Sequence, residues 1–242
     1  MNKILTYLFI SVAAYTFPLN AQTLEVGLID HDRYPYFYAD ATNGNLTGLY
    51  IDILNFVSVE SGIEFHYQRL PQKRLREYMK GGLIDVEPGI DMDWRQHPKE
   101  INNSVYTDVL FKSEEVIVYN RDVFSKDATV EEIMATDSCS VIGFNPPADP
   151  QKHPTIELYS EPQILELLKR KRCSWAQIPL YVLKSDYRGR VLVHTKPIIH
   201  YLLRIRLVKS QQHTLPSLNR AIEKLHASGR LEDLIYFYTG GE

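Results

Sequence analysis

From Leu24 onward, short β-rich apolar runs alternate with stretches whose apolar residues recur at helical spacing. LEVGLI (24–29) reads as a strand, and the turn-rich ADATNGN (39–45) leads through Leu46, Thr47 and Gly48 into IDILNFVSVES (51–61), a helix pattern that stops at Gly62. IEFHYQRL (63–70) is a second strand, RLREYMKG (74–81) a basic amphipathic helix ending at Gly81 and Gly82, and LIDVEPGI (83–90) a third strand. SEEVIVYN (113–120) is a long β-rich run leaving this unit. A second cycle follows: ATVEEIMAT (128–136), the strand VIGFN (141–145), EPQILELLKRK (161–171), the strand SWAQI (174–178) and LYVLKS (180–185). Two further β-rich runs, RVLVHTKP (190–197) and LLRIRLVKS (202–210), precede the helices LPSLNRAIEKLHASG (215–229) and RLEDLIYFY (230–238).

Strands separated by helices imply parallel βαβ units with both sheet faces covered. The order predicts an α/β protein of two lobes, each a mainly parallel sheet flanked by helices. Residues 22–117 plus 206–242 form the first lobe and 118–205 the second, with crossings near 115–120 and 200–208, and the terminal helices pack on the first lobe. Two crossings make a hinge.

The first 21 residues carry a different signal. Lys3 precedes an apolar stretch from Ile4 to Ala14, Phe17-Pro18 breaks it, and Leu19-Asn20-Ala21 offers a small residue before Gln22. This is the pattern of a secretory signal peptide cleaved after Ala21. The run is shorter than the roughly 20 apolar residues that span a bilayer. With no cysteine near the cleavage point, a lipid tether is not expected, and the mature protein is expected free in an exported compartment, the periplasm. Such a compartment permits a disulfide between the two cysteines, Cys139 and Cys173, each placed close to a predicted strand; two buried free thiols are the alternative.

Composition narrows the function. A net charge of −3 leaves no global basic field for a nucleic-acid backbone. The chain holds 16 Tyr and 9 Phe, enough to line a pocket as well as fill a core. The G-x-S-x-G, H-E-x-x-H and P-loop patterns do not occur, so no catalytic residue, cofactor or metal site is assigned. The Asp30-His31-Asp32 run reads as a polar loop, and Lys169 to Arg172 as a solvated helix end.

Several segments resemble the periplasmic solute-binding proteins of family 3, the amino-acid-binding type with the type II periplasmic binding fold. Val26-Gly27, then Tyr34-Pro35-Tyr36-Phe37, then Gly44 through Asp52 are similar to the family's strand, aromatic-proline turn and "G-x-L-T-G-F-x-x-D" segment. Leu75 to Val86, Ser104-Val105-Tyr106 and Leu218 through Tyr238 continue the likeness. The resemblance implies a monomer that closes a cleft around a small polar solute, an amino acid or related compound, for ABC-type uptake. Its partner is then an inner-membrane permease, or a sensor if the protein signals. A dehydratase-like enzyme on the same fold is the remaining alternative, with Glu87 and a neighbouring histidine as its acid-base pair.

The same resemblance sets the expected ligand-binding residues: Tyr34, Tyr36 and Phe37 as an aromatic wall, Glu87 and Gly89 at the end of the third strand, and Asn145, Trp175 and Gln177 from the second lobe. Arg95 is the expected carboxylate clamp, although an ungapped count places His97 there. Gly143-Phe144-Asn145-Pro146-Pro147 stands where the family has "G-T-T", and SWAQIP lacks the aspartate that often receives the ligand ammonium.

Overall fold

The computed structural model describes residues 22–125, 127–144, 153–186 and 191–240, so the segment read as a signal peptide lies outside the described residues. β1 (Gln22–Ile29) buries Leu24, Val26 and Leu28 on one face and Ile29 on the other, as a central strand must. A two-strand hairpin, β2 (Tyr38–Ala39) and β3 (Leu46–Thr47), takes up the turn-rich segment and delivers the chain to α1 (Leu49–Ser61). α1 ends on Gly62 in the left-handed conformation. β4 (Ile63–Leu70) then pairs with β1 in parallel from Gln22 opposite Ile63 to Ile29 opposite Leu70.

Next come α2 (Gln72–Gly81), β5 (Val86–Ile90), a 3-10 turn at Met92–Trp94 and α3 (Pro98–Asn102). α2 lies so close on β1 that a Cβ on Gly27 would sit 2.0 Å from Leu75 Cδ1, so any larger residue there would have to displace the Leu75 side chain. β6 (Ser104–Asn120) leads to α4 (Val130–Met134), β7 (Ser138–Val141), β8 (Thr155–Leu158), α5 (Glu161–Lys169), β9 (Trp175–Pro179), α6 (Leu180–Asp186) and β10 (Leu192–His194). β11 (Ile199–Val208) returns, and α7 (Leu215–Ala227) and α8 (Arg230–Thr239) close the chain by packing on α1. Tyr238 donates its hydroxyl to Asp52 at 2.7 Å, tying α8 to α1.

The main sheet runs β4-β1-β5-β11-β6-β9-β7-β8, with β10 added to β6. Pairings within each half, β4–β1–β5 and β9–β7–β8, are parallel. The pairings that join the halves, β5–β11, β11–β6 and β6–β9, are antiparallel. β6 and β11 are thus the two crossings, paired from Ser104 opposite Val208 to Glu115 opposite Ile199, with register shifts around Arg204. This is the two-lobed α/β architecture expected from the sequence.

Three details differ from the sequence reading. β6 starts at Ser104 rather than Ser113, because SVYTDVLF alternates well enough to continue the ladder. The strand expected at VIGFN sits earlier, at Ser138–Val141, since Gly143 turns at φ 82° and Phe144 N–H donates to Val141 O. The large apolar core is also continuous between the lobes, running along both crossings, whereas two lobes with a sheet each imply a core each.

Cys139, on β7, is bridged to Cys173, just before the neighbouring strand β9, with Cα atoms 6.1 Å apart. The closed loop spans 34 residues, so on the chain-entropy estimate the bridge contributes about 3–4 kcal/mol. Replacing both cysteines with serine should lower the urea-unfolding free energy by about 3 kcal/mol, and a variant within ~0.5 kcal/mol of the parent would refute this.

Candidate functional site

The carboxyl ends of β1, β5, β7 and β9 converge on a cavity of about 450 Å³ between the lobes. That is the position where open α/β sheets bind ligands, and the volume suits a small molecule.

One wall is a buried charge network. Glu87 on β5 accepts from Arg95 Nε at 3.3 Å and Nη2 at 2.5 Å, and from Arg206 Nη1 at 2.8 Å. Arg206 stands directly across the β5–β11 ladder from Glu87, so the sheet register makes that contact. Arg206 Nε donates to Ser104 Oγ at 2.8 Å. Glu100 of α3, wholly buried, accepts two bonds from Arg76 and lies 3.8 Å from Arg206 and 3.9 Å from Arg95. Burial pushes the Glu87 carboxyl up, but the two guanidiniums overcome it and hold the group below the usual carboxylate range. Arg95 is likewise raised: burial opposes its charge, and Glu87 more than compensates. Glu87 is thus held ionised and paired, and an acid-base role for it would first require that pairing to be broken.

The opposite wall comes from the loop after β1 and from the second lobe. Arg33 is fixed by a tight turn in which its N–H donates to Phe37 O at 2.8 Å and its carbonyl accepts from Tyr36 N–H at 2.8 Å. Its guanidinium lies 5.2 Å from the Tyr36 ring centre and 5.1 Å from that of Phe144, and its Nε donates to Glu161 Oε1 at 2.7 Å. Such stacking suits the flat, weakly hydrated guanidinium. Asp30, three residues before Arg33, accepts from Tyr159 Oη at 2.6 Å. Both contacts join loop to second lobe, so the lobes are shut on each other. Glu115 on β6 also reaches the cavity and accepts from Gln177 Nε2 of β9.

Of the residues expected from the sequence, Phe37, Glu87, Gly89, Arg95 and Gln177 line this cavity. Gly89 adopts φ 70°, and a Cβ there would lie 2.1 Å from the Tyr50 hydroxyl, so β5 turns away only as glycine. Tyr36 lies beneath the surface, stacked on Tyr50 at 4.7 Å, and Tyr34 points outward, 41% exposed, against Tyr38. Trp175 is completely buried under α4 with Ile117 and Ile133, its indole N–H donating to Thr136 O at 3.3 Å; the structure places it in the core, away from the cavity. Asn145 lies outside the described residues. His97 is exposed and caps α3 by accepting from Lys99 N–H at 3.2 Å, so Arg95 is the one of the two at the cavity wall. Arg33, Glu115 and Glu161 were not singled out by the sequence reading, nor were the lining rings Trp94, Phe144 and Tyr201. A glutamate inside the apolar run EEVIVYN was the one signal that pointed to Glu115. Among the described residues, no group of three or more His, Cys, Asp or Glu is placed to hold a metal.

A bilobed α/β scaffold with two antiparallel crossings and a charged cavity between its lobes defines a protein of the binding type. The chain belongs to family 3 of the bacterial extracellular solute-binding proteins, whose model matches residues 24–241. It is therefore a solute-binding protein. No curated protein matches the chain. Among solved structures, an amino acid ABC transporter substrate-binding protein from Streptococcus pneumoniae, bound to L-arginine, superimposes with a TM-score of 0.74 at 14% identity, covering 90% of this chain and 94% of that one. An ancestral amino-acid-binding protein, precursor of cyclohexadienyl dehydratase, gives 0.74 at 17% identity over 90% and 95%. A histidine kinase sensor domain gives 0.72 at 17% over 91% and 98%. At these identities the likeness is one of fold.

Glu87→Gln should destabilise the protein by about 3 kcal/mol, because two buried guanidiniums lose their shared counter-charge. The sign with pH follows from the lowered carboxyl: the stabilisation is complete above the unfolded value of about 4.3 and is lost as pH falls through the folded one. Urea titrations between pH 3 and 7 should show that acid loss in the parent and a shallower slope in the variant; parallel slopes would contradict it.

Proposed function

We propose that this protein captures a small solute with groups of both charge signs, an amino acid or a close relative, in the interlobe cavity, and works without catalysing its conversion. The observation that carries this reading is the cavity's lining, where buried charges of both signs come from both lobes and from the crossing between them. The network of Arg76, Arg95 and Arg206 with Glu87 and Glu100 counts three positive groups against two negative. Arg95 is its member at the cavity wall, so the surplus positive charge favours an anionic end of the solute there. Phe37, Tyr50 and Tyr201 supply the apolar sides, and Gly89 lets backbone approach.

In this reading the lobes divide at the β6 and β11 crossings, near residues 117 and 205, and the solute's contacts to both halves stabilise the shut form by differential affinity. The amino-terminal segment directs the protein to the periplasm and is removed there. The shut form is the shape a membrane permease recognises, which links capture to ABC-type uptake.

A thermal-shift screen of amino acids and related metabolites should yield at least one compound that, at ~100 times its dissociation constant, adds about 2.7 kcal/mol of stability. Arg95→Lys keeps the charge but loses the fork, so it should weaken that compound at least ~10-fold, about 1.4 kcal/mol. A screen without a hit would end the proposal, and unaltered affinity in Arg95→Lys would remove Arg95 from the site.

A further inference from the structure

The cavity's negative groups are not equally occupied. Glu87 is shared by two guanidiniums, which already balance its charge. Glu161 has given Oε1 to Arg33, but its Oε2 is buried and bonded to nothing. Leaving a buried acceptor bare costs roughly 1–3 kcal/mol, more for a charged one, a cost that an incoming N–H donor removes. Glu115, 8% exposed, is held by the Gln177 amide, a neutral donor. The formally charged lining residues are Arg33 and Arg95 against Glu87, Glu115 and Glu161, one negative charge in excess. The bookkeeping of partners locates that excess at Glu115 and at the open oxygen of Glu161.

Structural roles explain these carboxylates only in part. Glu161 opens α5, where an acidic residue complements the helix dipole, and it pairs with Arg33. Neither role uses the second oxygen. Glu115 sits two rungs from Gln177, and so on the same face of the β6–β9 ladder, since Pro179 is its direct partner and Gln177 that of Ile117. An amide at the end of β9 therefore lies beside a carboxylate on β6, and together they present a fixed, oriented acceptor. A buried acid with no cation of its own weakens the empty fold, which is a cost expected of a binding group rather than a structural one.

Resting on the binding reading above, we infer that Glu115 and Glu161 form a receptor for a cationic nitrogen bearing N–H donors, so that the solute is an ammonium or amidinium compound and not a neutral or purely anionic one. The receptor has one member on the crossing strand, where Glu115 pairs with Pro179 of β9, and one on α5 of the second lobe. Around Glu115 stand Gln177 from β9, Arg33 and Tyr36 from the loop after β1, Tyr50 from α1, Glu161 from α5 and Tyr201 from β11. Burial pushes its carboxyl up most, Gln177 and Arg33 pull it down, and Glu161 pushes it up again, with a net rise. A raised carboxyl contributes stability that is present below the unfolded value and lost as pH rises through the folded one. Binding a cation opposes that loss, so affinity should fall on acidification.

The test uses the mature protein and calorimetric titration with L-amino acids, each matched to its 2-hydroxy acid and to the amine lacking the carboxylate. Every amino acid that binds should lose at least ~10-fold on exchange of ammonium for hydroxyl, and Glu115→Gln should weaken it roughly 10–100-fold, the range for one hydrogen bond to a charged group. The same variant, without ligand, should be at least as stable as the parent at pH 7, and its affinity should no longer fall between pH 7 and 5. Glu161→Gln provides a second variant with the same expected loss. Equal binding of amino and hydroxy acids, or unchanged affinity and pH profile in Glu115→Gln, would overturn the receptor while leaving solute binding intact. Failure of every compound to bind would overturn both.

Discussion

The site depends on one buried carboxylate shared by two guanidiniums. Glu87 belongs to β5, Arg206 to β11 and Arg95 to the segment after the 3-10 turn, so their meeting fixes three elements at the cavity floor. Taking three charges out of water costs several kcal/mol per ion. The direct Arg206–Glu87 cross-strand pairing and the second carboxylate at Glu100 offset this by supplying partners without rearrangement. The orientation of Arg95 follows from that arrangement. A guanidinium already gripped at Nε and Nη2 is pre-organised, and in the proposed reading the solute need not order it, which reduces the entropic cost of binding.

The second lobe meets this rigid floor through fewer and different contacts. Arg33–Glu161 and Asp30–Tyr159 join the lobes through polar atoms, and the stacking of Arg33 on Phe144 adds a modest attraction. On opening, these groups regain water, so the ion pair contributes little net energy to closure; desolvation and attraction nearly cancel. A latch of this kind does not by itself hold the lobes shut. Closure then responds to a solute instead of being imposed by the fold.

The architecture was readable in the sequence because periodicity reports burial directly. LEVGLI and IEFHYQRL became β1 and β4 with one continuous parallel register, and the glycines at 62 and 82 ended α1 and α2 in left-handed conformations. Lining residues placed by local order were also accessible: Gly89 lies near the end of β5 and Arg95 follows it closely, and the strand's end is the cavity. Trp175 was not, because strand alternation puts it on the same face as Gln177 and only the position of α4 decides that one is covered and the other open. Arg33 and Glu161 are 128 residues apart, and nothing in either neighbourhood announces the other. The two crossings bring them together, which is tertiary information. The early start of β6 was missed for a related reason: Thr107 and Ser113 are polar yet buried, since they serve the β6–β11 seam instead of facing water.

The distribution of charge over the moving parts connects this geometry to mechanism. A positive surplus stands on the first lobe at Arg95, one carboxylate rides on the crossing at Glu115, and another belongs to the second lobe at Glu161. Had all three been on one lobe, a solute would bind the open and shut forms alike, and by population-shift arithmetic it would move nothing however tightly it bound. In the proposed reading, a solute held at Arg95 reaches Glu161 only when the lobes meet, so that contact is differential between the two forms and favours closure. In the proposed reading Glu115, on the strand beside β9, takes the ammonium in place of the aspartate missing from β9, oriented by the neighbouring amide of Gln177.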